Sequence, residues 1–345
     1  MSSLPTYQGK AVAYLDQNIL DVFVKYGMID FACMLRDTYQ VVYSDETLKE
    51  IKRSGDYAEK FLDVLNNLNA FHIKQRLTNL YEPTNEITIS QKDSYLAYKE
   101  YCDQLPVYQQ LLNSMMQTTF KTYGGRRGDD FNVIKNEQLD AFSLLMEHID
   151  EQSEIIKEIN PDLATHIKEA AKISMQQMEH ALEKSTALMS ASINEQDNWS
   201  GVIDFREAMK IGPKELNNIS HPNVLQKIWD LYKEKDEYKD LNWSAEDFFF
   251  IKSNPINVGK PYFNYQKVNC IYNHLNLIGY YPDSETHRER RFIAAISDQS
   301  HASIASFADI VFSRDERFVK KVRAAYEHLE INTAVMLVTL DRRGD

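Results

Sequence analysis

The sequence predicts an α/β fold: a parallel sheet flanked by helices and interrupted by a large, mainly α-helical insertion. Two observations carry this. Short apolar runs alternate with amphipathic helical patterns over residues 10–75, and the same alternation returns over 286–340. Residues 76–285 carry long helical patterns instead. Strand–helix alternation favours parallel strands with helices on both faces. The two terminal stretches are therefore expected to form one discontinuous domain, and 76–285 a helical insertion domain.

Taken in order, Ala11 to Leu15 carry no charge and no breaker and read as a short buried strand. Ile19, Leu20, Phe23, Val24 and Met28 follow at helical spacing. YQVVYS, residues 39–44, reads as a second strand. Ser44 and Asp45 are good N-caps for the helix TLKEIKRSG, and Gly55 is its stop. Phe61, Leu62, Leu65 and Leu68 form the stripe of a helix over 57–69. AFHIK, residues 70–74, is a third strand in which His72 packs rather than binds a ligand.

Within the insertion, YGGRRGDD (123–130) is the clearest loop, with three glycines and two arginines. Two long helices are expected at about 135–159 and 161–192, divided by Asn160-Pro161. Pro and Gly punctuate 194–284, and Phe248, Phe249 and Phe250 are expected to pack between helices. The end of the chain is again regular. HRERRFIAAISDQSHASIASFA is a helix rich in Ala and Ser, Ile310 to Ser313 a strand, 316–329 a helix and INTAVMLVTL a last strand.

Composition bounds the function classes. The net charge of −12 argues against a general nucleic-acid coat protein. It is unevenly spread. Residues 137–197 hold 13 acidic against 4 basic side chains, whereas 285–328 hold 7 against 8. Cys33, Cys102 and Cys270 are odd in number and far apart, which suits a reducing compartment and makes neither a disulfide framework nor a zinc site. No apolar run approaches the length of a membrane span, so a cytoplasmic protein without membrane contact is expected.

Four carboxylates stand out: Asp16 after the first strand, Glu50 on the next long helix, Asp298 on the small-residue helix and Asp315 after the Ile310 strand. Glu46, one turn before Glu50, is read as a solvated acid pairing with a neighbouring lysine or arginine. Like charges brought within a few ångströms need a counter-charge. Hard oxygen ligands suit Mg²⁺ or Mn²⁺, and such ions support phosphodiester hydrolysis.

These residues resemble the PIN-domain nucleases. The resemblance rests on Leu15, Asp16 and Asn18 as an LDxN-type strand end, and on Ser44 followed six residues later by Glu50. Asp298 then opens an Ala-rich helix, and Ser313, Arg314, Asp315 and Phe318 match a Thr-x-Asp-x-x-Phe-like turn. It covers roughly residues 10–75 and 286–340. Departures are Gln17, Ser for Thr at 313, and His301 where an apolar residue is common.

The resemblance implies strand order 3-2-1-4-5, with the acids at the switch between strands 1 and 4. It implies metal binding by Asp16, Glu50, Asp298 and Asp315, with Asn18, Ser44, Ser313 and His301 in support. The activity implied is a metal-dependent endoribonuclease using Mg²⁺ or Mn²⁺, of a kind that often serves as a bacterial toxin or defence effector. An inactive PIN-like module that binds nucleic acid or protein is the alternative. Arg323 and His328 echo the basic-histidine pair of metal-independent HEPN ribonucleases, on a fold that does not match. RNA is the expected partner, contacted by Arg314 and by Arg126 and Arg127 on a mobile loop. The acidic insertion would face solvent, a partner protein or a second copy of the chain.

Overall fold

A computed structural model describes residues 9–78, 83–103, 106–192, 201–254 and 259–339. The chain forms two compact units. One comprises residues 1–102, 206–284 and 293–345, the other 103–205 and 285–292. This division corrects the expected domains, because 206–284 belongs with the sheet and not with a separate insertion. The reason is apolar. Helices Val224–Tyr232 and Asn264–Ile278 bury Val224, Leu225, Ile228, Val268, Ile271 and Leu275 and pack on the helix Glu316–His328.

The first unit is built on six strands: β1 (Val12–Leu15), β2 (Gln40–Tyr43), β3 (Phe71–Leu77), β4 (Pro83–Ser90), β5 (Ile310–Ser313) and β6 (Ala334–Leu337). They lie in the order β4-β3-β2-β1-β5-β6. All neighbours are parallel except β4, which runs antiparallel to β3. β4 is a correction, since helical structure was expected from residue 76. Ile87, Thr88 and Ile89 are β-branched and alternate in facing, which suits an edge strand.

β1 and β2 are buried along their whole lengths, β1 as an unbroken apolar run and β2 with its one amide, Gln40, donating to the Val41 and Asn69 carbonyls. Side chains alternate between faces. Ala13, Leu15, Val41, Tyr43 and Phe312 join one core with helices Gln17–Tyr26, Asp45–Arg53 and Ala58–Asn67. Within that core Leu48 and Ile51 are fully buried, a contribution of about 2 kcal/mol each. Tyr14 faces the opposite way, toward His301. His72 is a packed residue: buried, stacked on Tyr43 at 4.9 Å and bonded through Nε2 to Asp45 at 2.8 Å.

In the second unit, Phe131–Lys157 and Pro161–Ser192 form a helical hairpin, with Pro106–Met115 against its first arm. The loop between residues 123 and 130 is anchored, contrary to expectation. Gly125 packs so tightly that a Cβ there would lie 2.4 Å from the Phe120 ring. Phe248 and Phe249 are buried as expected, while Phe250 is 54% exposed. No helix among the described residues is long and apolar enough to cross a membrane.

Candidate active site at the strand tips

Asp16 and Asp315 sit just past the C-terminal tips of two adjacent strands. Leu15 pairs with Phe312, and the Asp16 backbone N–H extends that ladder to the Phe312 carbonyl at 3.0 Å. Ligand sites in open α/β sheets form at this end of the strands. Asp16 is buried and its Oδ2 accepts from Ser313 Oγ at 2.5 Å and from the Asn18 side-chain amide. Asn18 also donates to Ser313 Oγ at 3.1 Å and accepts from the Arg314 backbone N–H at 2.8 Å. Ser313 Oγ accepts from the Asp315 N–H at 3.0 Å. Asp16, Asn18, Ser313 and Asp315 thus form one hydrogen-bonded cluster. Asp315 Oδ1 additionally caps the helix Glu316–His328, accepting from Arg317 N at 2.7 Å and Phe318 N at 3.2 Å.

Glu50 and His301 form the second part. His301 is 1% exposed. Its Nδ1 lies 2.6 Å from the Tyr14 hydroxyl and its Nε2 3.0 Å from Glu50 Oε2. Tyr14 continues to Ser44 Oγ at 2.7 Å, and Ser44 caps the helix Asp45–Arg53 in a capping box with Thr47. Burial opposes charge on the His301 ring, but the Tyr14 oxygen and the carboxylates of Glu50 and Asp16 outweigh it and lift its pKa well above the ordinary value. Burial likewise pushes Glu50 up, yet His301, Arg53 and Lys49 pull it below the usual range. Arg53 donates to Glu50 Oε1 and to Ser297 Oγ, each at 2.8 Å. Glu46 pairs with Lys49 at 3.1 Å as expected, but it is not solvated: it is largely buried and accepts from Ser297 Oγ at 2.5 Å.

Asp298 completes the set. Burial raises its carboxyl well above the usual range, the charges of Asp16 and Asp283 add to that, and Lys321 and His301 oppose it. Burial also pushes Asp16 up to about 6, with the charge of His301 and the Ser313 hydrogen bond working against it and the charges of Glu50 and Asp315 with it. The four acids therefore feel one another's fields.

Asp16, Asp298 and Asp315 offer hard oxygens: neither oxygen of Asp298 accepts a hydrogen bond among the described residues, and Asp16 and Asp315 each keep one open. This donor chemistry fits a Mg²⁺ or Mn²⁺ ion. Glu50 Oε2 and Oε1 each accept one hydrogen bond, from His301 and Arg53, and each keeps a lone pair. As they stand, no group of three or more His, Cys, Asp or Glu side chains among the described residues is arranged to hold an ion.

Arg314 is exposed and borders a depression of about 490 Å³ with Asn18, Asp315, Glu316 and Arg317. The two loop arginines differ from expectation. Arg126 donates to Asp129 at 2.7 Å and grips both carboxylate oxygens of Glu137, so its charge is neutralised within its own unit. Arg127 is exposed and donates to the Gly124 carbonyl at 3.2 Å. Arg323 donates to the Val335 carbonyl at 2.7 Å while His328 faces Glu246 at 3.5 Å, so these two are tied to different partners.

Several site residues had no local signature in the sequence. Tyr14 is one polar tip in an apolar strand, and Ser297 one serine among many. Asp21, on the first helix, is exposed. Partial desolvation and the charge of Glu50 push it up, and Arg314 offsets them. The i,i+3 spacing of Glu50 and Arg53 was the one available signal. No family model, no curated protein and no solved structure matches this chain.

Proposed function

We propose that the chain is a metal-dependent endoribonuclease with a PIN-like sheet, acting through the carboxylates at the tips of β1 and β5. The observation that carries the reading is the placing of Asp16 and Asp315 at the tips of adjacent strands with Asp298 in the field of Asp16; burial raises Asp16 and Asp298, and neighbouring carboxylates add to it. The run β3-β2-β1-β5-β6 within the sheet, with Asp16 and Asp315 on neighbouring strands, supports the PIN-like assignment. Asp16, Asp298 and Asp315 would hold Mg²⁺ or Mn²⁺. When bound, the ion supplies Lewis-acid charge to a phosphodiester.

The chain's own residues do the rest. Asn18 and Ser313 fix the Asp16 carboxylate so that its second oxygen faces away from them. Arg314, exposed beside Asp315, binds a backbone phosphate. His301 keeps Glu50 ionised and oriented behind the ion site. Cleavage of single-stranded and structured RNA in Mg²⁺ or Mn²⁺, with and without chelator, in wild type and Asp16→Asn, tests the reading. Activity that survives both chelator and substitution rules it out.

A second reading is an inactive PIN-like module that binds nucleic acid or protein. The pairing of Glu50 with His301 and Arg53 favours it, since internal cations there replace part of the need for an ion. A wild-type protein that binds RNA but neither cleaves it nor gains stability from Mn²⁺ would establish that reading.

A further inference from the structure

The second arm of the helical hairpin, Pro161–Ser192, runs for 32 residues and packs along one side. Ala164 and Leu182 are buried on that side, and Met175 Sδ accepts there from Ser143 Oγ of the first arm at 4.0 Å. A second line of residues lies roughly a third of a turn round the helix, at about 100° per residue. It consists of Leu163, Ala170, Ser174, Gln177, Ala181 and Leu188, and all six are exposed. Leu163 is 47% exposed and Leu188 60%. The stripe extends over about 37 Å of helix.

Its surroundings are strongly acidic, yet the stripe carries no charge. Residues 137–197 hold 13 acidic against 4 basic side chains. The acids of this helix, Asp162, Glu169, Glu179 and Glu183, all lie about 90° or more from the centre of the stripe. Ile173, which adjoins it, is 54% exposed. A contiguous apolar face rimmed by charge marks a protein contact. The same acidic rim repels a nucleic-acid backbone.

The spacing identifies the occupant. The intervals between successive stripe residues are 7, 4, 3, 4 and 7, with Leu and then Ala inward from either end, so the stripe reads alike in both directions. A two-fold axis perpendicular to the helix, between residues 175 and 176, sets Leu163 level with Leu188 of a second copy. It likewise sets Ala170 against Ala181 and Ser174 against Gln177. An isologous interface requires this self-complementarity. Charge agrees with it. Lys184 of the second copy comes within about 3 Å, measured along the helix, of the level of Glu169, on the same flank. The symmetry makes that pairing twice, and opposite charges flanking a helix seam set partner and orientation.

We infer that the helix Pro161–Ser192 is a dimerisation face: two copies of the chain pair antiparallel through the stripe from Leu163 to Leu188. The inference is independent of the carboxylate site. The alanines let the two helix backbones approach closely, and the leucines close the seam at its ends.

The test is the light-scattering mass of the full chain over a dilution series, for wild type and two double variants. Wild type should be a dimer. Ala170→Glu with Ala181→Glu opposes like charges twice across the seam and should weaken association by about a hundredfold or more. Ala170→Lys with Ala181→Glu opposes unlike charges in the antiparallel register and should restore the dimer. In a parallel pairing the same variant would oppose like charges. Both positions are exposed, so the fold is not at stake, and circular dichroism checks that. A monomeric wild type overturns the inference and leaves the stripe to a different protein. An undiminished dimer in the first variant overturns it by moving the interface elsewhere. A monomeric second variant overturns the antiparallel register.

Discussion

His301 Nε2 lies 3.0 Å from Glu50 Oε2, joining the helix Glu289–Ala305 to the helix Asp45–Arg53 across the tip of β1. The Tyr14 oxygen and the Glu50 and Asp16 carboxylates outweigh burial and favour a charged His301 ring, a counter-ion in a site otherwise dominated by carboxylates. Removing one partner of a buried pair leaves the other uncompensated, which costs far more than the pair contributes. His301→Leu should therefore destabilise the sheet unit by about 3 kcal/mol. Adding Glu50→Leu should recover part of that, with a coupling of at least ~1 kcal/mol between the two sites. Urea unfolding followed by the fluorescence of Trp229, which lies 5.2 Å from the Phe248 ring, reads both quantities. Strict additivity would mean that His301 and Glu50 are neighbours without being partners.

Asp315 has two separable duties. Its Oδ1 caps a helix through Arg317 N and Phe318 N, and its charge belongs to the carboxylate cluster. Asparagine caps as well as aspartate, whereas alanine does not. Asp315→Asn should hold wild-type stability and lose roughly a hundredfold or more in metal-dependent cleavage. Asp315→Ala should lose the same activity and, in addition, about 1 kcal/mol of stability. If Asp315→Asn retains full activity, the residue is a cap alone.

Sequence patterning revealed the strands that are buried on both faces. Uncharged runs at Val12–Leu15 and Ile310–Ser313 leave little alternative, and Ser44 and Asp315 mark helix starts by their cap chemistry. It missed β4 because an edge strand half exposed to solvent has weak apolar alternation. It misassigned 206–284 because an amphipathic helix carries an apolar stripe whether it packs on a sheet or on another helix. At the site, charged residues at strand tips were legible, while their partners were not. Tyr14, Ser297 and Lys321 meet His301, Arg53 and Asp283 at sequence separations of tens to hundreds of residues, and no local pattern encodes that.

The three arginines expected at substrate should now separate. Arg314 is exposed beside the Asp315 depression, while Arg126 is consumed by Glu137 and Asp129. Each phosphate contact adds a counter-ion term to the salt dependence of binding. Arg314→Ala should weaken RNA binding and reduce the salt slope by about 1. Arg126→Ala should leave affinity and slope unchanged and cost the helical unit about 1 kcal/mol. Binding isotherms at several salt concentrations, alongside thermal melts, distinguish the two. An Arg126→Ala variant with a reduced slope and intact stability would reverse the assignment.

His274 gives the sheet unit a defined acid sensitivity. Its ring is enclosed by Phe248, Phe249 and Phe250, at 4.6, 5.1 and 5.7 Å between centroids, and its Nε2 has no partner. Burial among these rings lowers its pKa from 6.5 to about 4. Above pH 6.5 the ring is neutral folded or unfolded and contributes no pH dependence. As pH falls below 6.5 the unfolded chain takes up the proton and the folded one does not, so stability drops. The loss accumulates down to about pH 4, where the folded ring also protonates, and totals about 3 kcal/mol. His274→Leu removes this titration. Urea unfolding at pH 7, 6, 5 and 4.5 should show the wild type falling away from His274→Leu by roughly 1.4 kcal/mol per pH unit below 6. Parallel curves across that window would mean that the ring is charged in the folded protein, with a partner other than the three phenylalanines.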